Sequence, residues 1–216
     1  DAHFARTRLL ALENTWGGQV LPQDYVDQAC ALAHRRGLAT HLDGARLFNA
    51  AVASAADGES ALAAARRLAA PFNSVSVCFS KGLGAPAGSA LVGSRELIAR
   101  AHRIRKMLGG GMRQAGVLAA AALHALEHHV DRLTDDHLHA RRLADGLAGL
   151  PGVAVLAPQT NIVFVDLAPE KATGAVQRLR EAGVLVTGLY KLRLVTHLDV
   201  SAAQIDAAIA ALRRVL

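Results

Sequence analysis

A mostly parallel α/β sheet followed by a second, smaller α/β unit is the fold class this sequence predicts. Three observations carry it. Short apolar runs alternate with amphipathic stretches along most of the chain. The 216 residues are 52% hydrophobic and only 19% charged, enough to bury a substantial core. The character changes after Ser94, and Pro151-Gly152 marks a break beyond which short apolar runs resume.

The elements follow in order. Leu9–Glu13 reads as the first strand, and Gln23–Arg36 as a helix closed by Gly37 in the position that favours a left-handed residue. Ala39–Asp43 is the next strand. Ser60–Ala69 is helical up to Pro71, which a helix interior would not accept. Ser74–Phe79 and Ser89–Val92 are further strands. Ser94 caps a helix to about Leu108, where Gly109-Gly110-Gly111 interrupts it. Long helices are expected over Arg113–Val130 and Asp131–Leu147. Strands at Val153–Leu156, Ile162–Val165, Val184–Val186 and Leu192–Val195, with helices at Pro169–Ala182 and Ser201–Val215, complete the second unit. The expected domains are 1–112 and 113–216.

Composition excludes several classes. No run of about 18 apolar residues is present to form a membrane-spanning helix, so no membrane partner is expected. Only four of the 24 basic residues are Lys, and the rest are Arg scattered on helical stretches beside Asp and Glu. With 4% aromatic residues there are few stacking platforms, so no nucleic-acid partner is expected despite the net charge of +6. The Arg preference and Ala runs fit a GC-rich coding bias. Cys30 and Cys78 are too few for a disulfide framework and fit a reducing cytoplasm. The chain opens on Asp1 without Met or signal segment and reads as starting in mid-domain.

The segment from Ser74 to Ser89, containing Ser80-Lys81-Gly82, is the most informative. Lys81 follows a buried strand, and parallel sheets place ligands at the carboxyl ends of strands. A lysine there is expected to be partly desolvated, which favours the neutral amine that forms a Schiff base. It could equally be a lysine that lays its stem along the strand end with its charge in water. Asp43, in His41-Leu42-Asp43-Gly44-Ala45-Arg46, also ends a strand. Such a carboxylate can hold a protonated pyridine nitrogen, or it can simply turn the chain. One strand–helix–strand passage separates Asp43 from Lys81, so the pair says more than either residue alone.

The glycine triplet reads either as a hinge or as a nest of N–H groups for a phosphate. His124 and His128 flank Glu127 in a His-x-x-Glu-His pattern, with His137 and His139 following. Without a third ligand in a matching context these are exposed helix histidines, and no metal is expected.

His41–Arg46, Ser80–Ser89, Lys106–Gln114 and Arg193-Leu194-Val195-Thr196-His197-Leu198-Asp199 together resemble the low-specificity L-threonine aldolases. That family belongs to the pyridoxal-phosphate enzymes of fold type I, the aspartate-aminotransferase fold. The resemblance covers nearly the whole chain, with the motifs in the family's order and spacing. It implies the later half of a fold type I large domain plus a smaller C-terminal α/β domain. The implied reaction is Cα–Cβ cleavage of L-threonine, L-allo-threonine and related β-hydroxy-α-amino acids to glycine and an aldehyde.

The resemblance further implies pyridoxal 5'-phosphate as cofactor, Lys81 as the Schiff-base lysine and Asp43 as partner of the pyridine nitrogen. Arg193, with Arg46, would hold the substrate carboxylate. Without the resemblance, Arg193 reads as a strand-mouth charge paired with Asp199. Lys106 and Arg113 are secondary candidates beside phosphate or substrate. The expected partners are a small amino-acid substrate and further copies of the chain, as a dimer or tetramer. Trp16 departs from the family, which often has His there near the β-hydroxyl; the indole N–H only donates. The family's phosphate loop and ring-stacking residue lie upstream of Asp1, so this chain alone is expected to bind cofactor weakly and turn over little. Two other readings are a non-catalytic fragment acting in subunit association and a β-eliminating lyase on the same scaffold.

Overall fold

Residues 3–188 and 191–216 are described by the computed structural model. They divide into two units: one runs to Trp16 and from Val20 to Asp131, the other takes Gly17–Gln19 and Arg132–Leu216.

The first unit runs β1 (Leu9–Glu13), α1 (Gln23–Arg35), β2 (Ala39–Gly44), α2 (Leu47–Ser54), α3 (Ala61–Ala69), β3 (Ser74–Cys78), β4 (Ser89–Gly93), α4 (Arg95–Met107) and α5 (Gly116–His128). Its sheet has the order β1-β2-β3-β4, with the first three strands parallel and β4 antiparallel to β3. Glu13 lies beside Asp43, and Asp43 beside Ser76, so the carboxyl ends of three strands meet at one end of the sheet. The two-residue period of β2 and β3 sends Leu42, Val75 and Val77 into a core with Leu47, Ala50, Ala64 and Leu68.

Local chemistry sets most boundaries. The hydroxyls of Ser60 and Ser94 accept the amides of Ala63 and Leu97, capping α3 and α4. Helix α1 stops at Gly37, whose φ is +69°; the Gly37 amide bonds the His34 carbonyl and the Leu38 amide that of Ala33. Helix α2 was not expected from the sequence. Arg46 precedes it without a side-chain cap, and its residues form a helix because Leu47, Ala50 and Ala51 are buried in the core.

The second unit runs α6 (Leu133–Leu147), β5 (Val153–Leu156), β6 (Ile162–Leu167), α7 (Pro169–Ala172), α8 (Ala175–Glu181), β7 (Thr187–Gly188), β8 (Leu192–Val195) and α9 (Ala202–Val215). Its sheet order is β5-β6-β8-β7, antiparallel throughout. Leu143, Leu147, Val163, Val165, Leu179, Leu192, Leu194 and Leu212 form its core. A reciprocal cap between Ser201 and Gln204 starts α9.

Two elements of this unit depart from expectation by more than their end residues. The helix anticipated over Pro169–Ala182 is broken at Thr173 and Gly174, the latter at φ +69°. The strand anticipated at Val184–Val186 lies instead at Thr187–Gly188. The Val184 amide is taken by the Leu179 carbonyl at the end of α8, and Val184 and Val186 serve as core packing.

Candidate functional site

Asp43 sits at the last turn of β2, exposed, with Oδ1 accepting the Ala45 amide at 3.1 Å. Its second carboxylate oxygen has no partner among the described residues. Gly44 must be glycine here, because a Cβ would stand 2.8 Å from the Ser76 carbonyl oxygen. The backbone of β2 can therefore lie close to β3 where the carboxylate emerges. Next to it, the Asn14 amide donates to the Asp43 carbonyl at 3.0 Å. Thr15 follows, 1% exposed, and its hydroxyl has no partner among the described residues. A buried hydroxyl without an acceptor is a group a ligand or water can satisfy.

Lys81 lies in the loop that joins β3 to β4. The Phe79 amide bonds Gly88, the Ala85 amide bonds Phe79 at 2.9 Å, and the Gly84 amide bonds the Lys81 carbonyl at 2.9 Å. This closed loop turns Leu83 and Ala85 inward and Lys81 outward. Lys81 is thus exposed, not partly desolvated as its position after a buried strand suggested. The reason is the loop, which carries the residue past the strand end before the chain folds back. No ion pair engages its amine among the described residues.

The remaining candidates of the first unit are spread out. Arg46 is half-buried at the start of α2. Trp16 is 69% exposed. Lys106 and Arg113 are exposed. The first two residues of the glycine triplet close the helix before them. Gly109, at φ +84°, gives its amide to the Lys106 carbonyl, and Gly110 gives its amide to Arg105, so both N–H groups terminate α4.

Arg193 belongs to the second unit. In β8, Leu192 and Leu194 face the core, whereas Arg193 and Val195 face the other way into a cavity of about 450 Å³ shared with Arg180, Thr187 and His197. The guanidinium has no ion pair among the described residues. Asp199, the partner that Arg193 would have without the resemblance, meets His197 instead, at 3.5 Å. Close to the strand end, Asp136 is fully buried and held by Arg132 at 2.6 Å. Burial pushes its carboxyl up from the usual range, against the pull of Arg132. His137 is held down to about 4, first by burial and then by Arg141.

His124 and His128 are exposed, their rings 4.5 Å apart, and His124 also meets His129 edge-on at 5.2 Å. Among the described residues no cluster of three metal-ligating side chains forms. No described helix is long and apolar enough to cross a membrane.

Residues 1–170 match the family model of the beta-eliminating lyases. The chain belongs to that family. It is 46% identical over 205 residues to the low specificity L-threonine aldolase of Escherichia coli O157:H7, covering 95% of this chain and 59% of that protein. It is 44% identical over 216 residues to the probable low-specificity L-threonine aldolase 2 of Arabidopsis thaliana, with the same coverage of 95% and 59%. The chain therefore spans 59% of the length of these relatives. A threonine aldolase structure from Leishmania major superposes with a TM-score of 0.80 at 20% identity, over 99% of this chain and 63% of that one. A serine palmitoyltransferase from Sphingomonas wittichii gives 0.71 at 20% identity, over 97% and 54%. At such identity the likeness shows the fold alone, and it is the α/β fold type I expected from the sequence.

In this member of the beta-eliminating lyase family, the donor set of the first unit fits a pyridoxal group. Among the described residues it offers a carboxylate with a free oxygen, an unpaired primary amine after the adjacent strand, and an unsatisfied buried hydroxyl. Sequence reasoning missed Thr15, whose only signal was its place in Leu12-Glu13-Asn14-Thr15 after a strand. It also missed His129, which bonds the carbonyl of Leu83 at 2.6 Å and has no sequence signal at all.

Proposed function

We propose that the protein is a pyridoxal-phosphate-dependent threonine aldolase, cleaving the Cα–Cβ bond of L-threonine, L-allo-threonine and related β-hydroxy-α-amino acids to glycine and an aldehyde. The observation that supports this most is the acid–amine pair at the carboxyl ends of neighbouring parallel strands: Asp43 is the last residue but one of β2, and Lys81 lies in the loop after β3. Identity of 46% to a named threonine aldolase supports the same reading. A homo-oligomer, dimer or tetramer, in the cytoplasm, serving threonine breakdown and glycine formation, is part of it.

When bound, pyridoxal phosphate supplies a protonated ring that accepts the electron pair left at Cα. Asp43 would hold the protonated ring nitrogen, and Lys81 would supply the anchoring amine. Arg46 and Arg193 are the guanidinium candidates for the substrate carboxylate. A planar fork holds a carboxylate in one orientation, and that orientation selects which bond at Cα breaks. Lys106 and Arg113 stand as candidates beside phosphate or substrate. Trp16 cannot accept the proton of the β-hydroxyl, so another base or a water takes it.

The test is to mix the protein with pyridoxal phosphate, reduce with borohydride, and map the modified lysine by peptide mass. Selective modification of Lys81 is expected. Even modification of the four lysines would overturn the reading. The family's description also admits β-elimination as a second reading. Product analysis separates the two: glycine and acetaldehyde from threonine support the aldolase, ammonia and 2-oxobutanoate the alternative.

A further inference from the structure

We propose that His129 is a positioning residue for Lys81, holding the lysine loop in place through the backbone. The inference rests on the reading of Lys81 given above. Nδ1 of His129 lies 2.6 Å from the carbonyl oxygen of Leu83, two residues beyond Lys81 and 46 residues away in sequence. A carbonyl oxygen only accepts, so Nδ1 carries the hydrogen and, in the neutral ring, Nε2 is the bare nitrogen.

Three backbone bonds close the loop upon itself: Phe79 to Gly88, Ala85 to Phe79 and Gly84 to Lys81. The His129 bond ties that closed loop to the end of α5. The histidine is itself held at both ends. Its amide donates to the Ala125 carbonyl at 2.9 Å, and its ring meets His124 edge-on. Leu83 is 3% exposed, so its carbonyl sits in a segment where a lost partner is not readily replaced. The lysine stem has four flexible carbons, and its reach is set by where its backbone is anchored. A shift of about 1 Å at such an anchor can cost about 100-fold in a positioned reaction.

Three variants test this. His129→Phe keeps a ring and removes the donor. His129→Asn places an amide nitrogen near the Nδ1 position, and His129→Gln places one near Nε2 instead. Two readouts are compared with the parent: amide exchange of the 79–85 segment without cofactor, and the fraction of borohydride-trapped pyridoxal phosphate on Lys81. His129→Phe and His129→Gln are expected to speed exchange about tenfold, the equivalent of one hydrogen bond, and to lower Lys81 trapping several-fold. His129→Asn is expected to stay within about twofold of the parent on both. Should His129→Phe fail to fold, the contrast between Asn and Gln carries the test. Parent-like behaviour of the Gln variant, or failure of Asn equal to Gln, would overturn the proposal alone. Even labelling of all lysines in the parent would instead overturn the reading of Lys81, and this inference with it.

Discussion

Thr196 gives its hydroxyl hydrogen to the backbone carbonyl of Asp136 across 2.6 Å, and both residues are fully buried. The same threonine is bound on its two backbone sides by Asn161. Its amide donates to the Asn161 carbonyl at 3.0 Å, and its carbonyl accepts the Asn161 side-chain amide at 2.9 Å. These bonds set the register of β8 against β6, in which Arg193 faces Phe164. A slip of one residue would turn Arg193 into the core and Leu194 out of it.

Thr196→Val should therefore destabilise the protein by about 1–3 kcal/mol, the cost of leaving a buried carbonyl without its donor. Thr196→Ser should recover most of the loss. Denaturant unfolding of both variants checks this, and equal loss in the two would show that the methyl group, not the hydroxyl, matters.

His137 predicts a pH dependence. Its folded value of about 4 lies below the usual value, so the fold buries the neutral ring. As pH falls through about 6.5 the unfolded chain takes up a proton that the folded chain refuses until about 4. The stabilisation is complete above pH 6.5 and is lost progressively towards pH 4, about 3 kcal/mol in all. His137→Leu should flatten this slope, measured as denaturant midpoints at neutral and mildly acid pH. A slope unchanged by the substitution would mean that other groups carry it.

Gly44→Ala places a Cβ 2.8 Å from the Ser76 carbonyl oxygen and 3.2 Å from the Leu47 side chain. Strand β2 must move away from β3, at about 1–3 kcal/mol. Because Asp43 is the neighbouring residue, pyridoxal phosphate affinity should fall as well. Thermal unfolding and cofactor titration report the two effects separately.

Under the proposed function, Trp16 bears on substrate preference. Trp16 is exposed, and its indole, where the resemblance leads to the expectation of His, offers no proton acceptor and adds bulk. Trp16→His should raise cleavage of threonine relative to phenylserine in the active protein. A ratio that stays the same would exclude a role for Trp16 in choosing the β-substituent.

Much of this was legible in the sequence. Strands β1, β2 and β3 were readable because each is a short apolar run bounded by turn residues, and Asp43 and Lys81 stood out as charges at the ends of such runs. Helix α2 was not readable: Arg46 offers no cap, and only burial against the sheet makes Leu47–Ser54 helical. The alternative pairing of Arg193 with Asp199, which the residues without the resemblance suggest, does not form among the described residues for a similar reason. Arg193 and Asp199 are near in sequence, but strand alternation directs the arginine into the cavity while Asp199 meets His197 in the following turn.

The sequence by itself determined most of the order of elements, the α/β class, the family and the identity of the candidate acid, amine and guanidinium groups. Periodicity, capping chemistry and motif spacing are local properties, written within a few residues of each other. Only the tertiary structure decided that Lys81 is exposed at a closed loop, that His129 holds this loop, and that Asn161 and Asp136 clamp the end of β8. Those facts depend on backbone groups brought together from 35 to 60 residues apart. A carbonyl or an amide looks the same at every position of a sequence, so nothing in the chain announces which one a distant side chain will find.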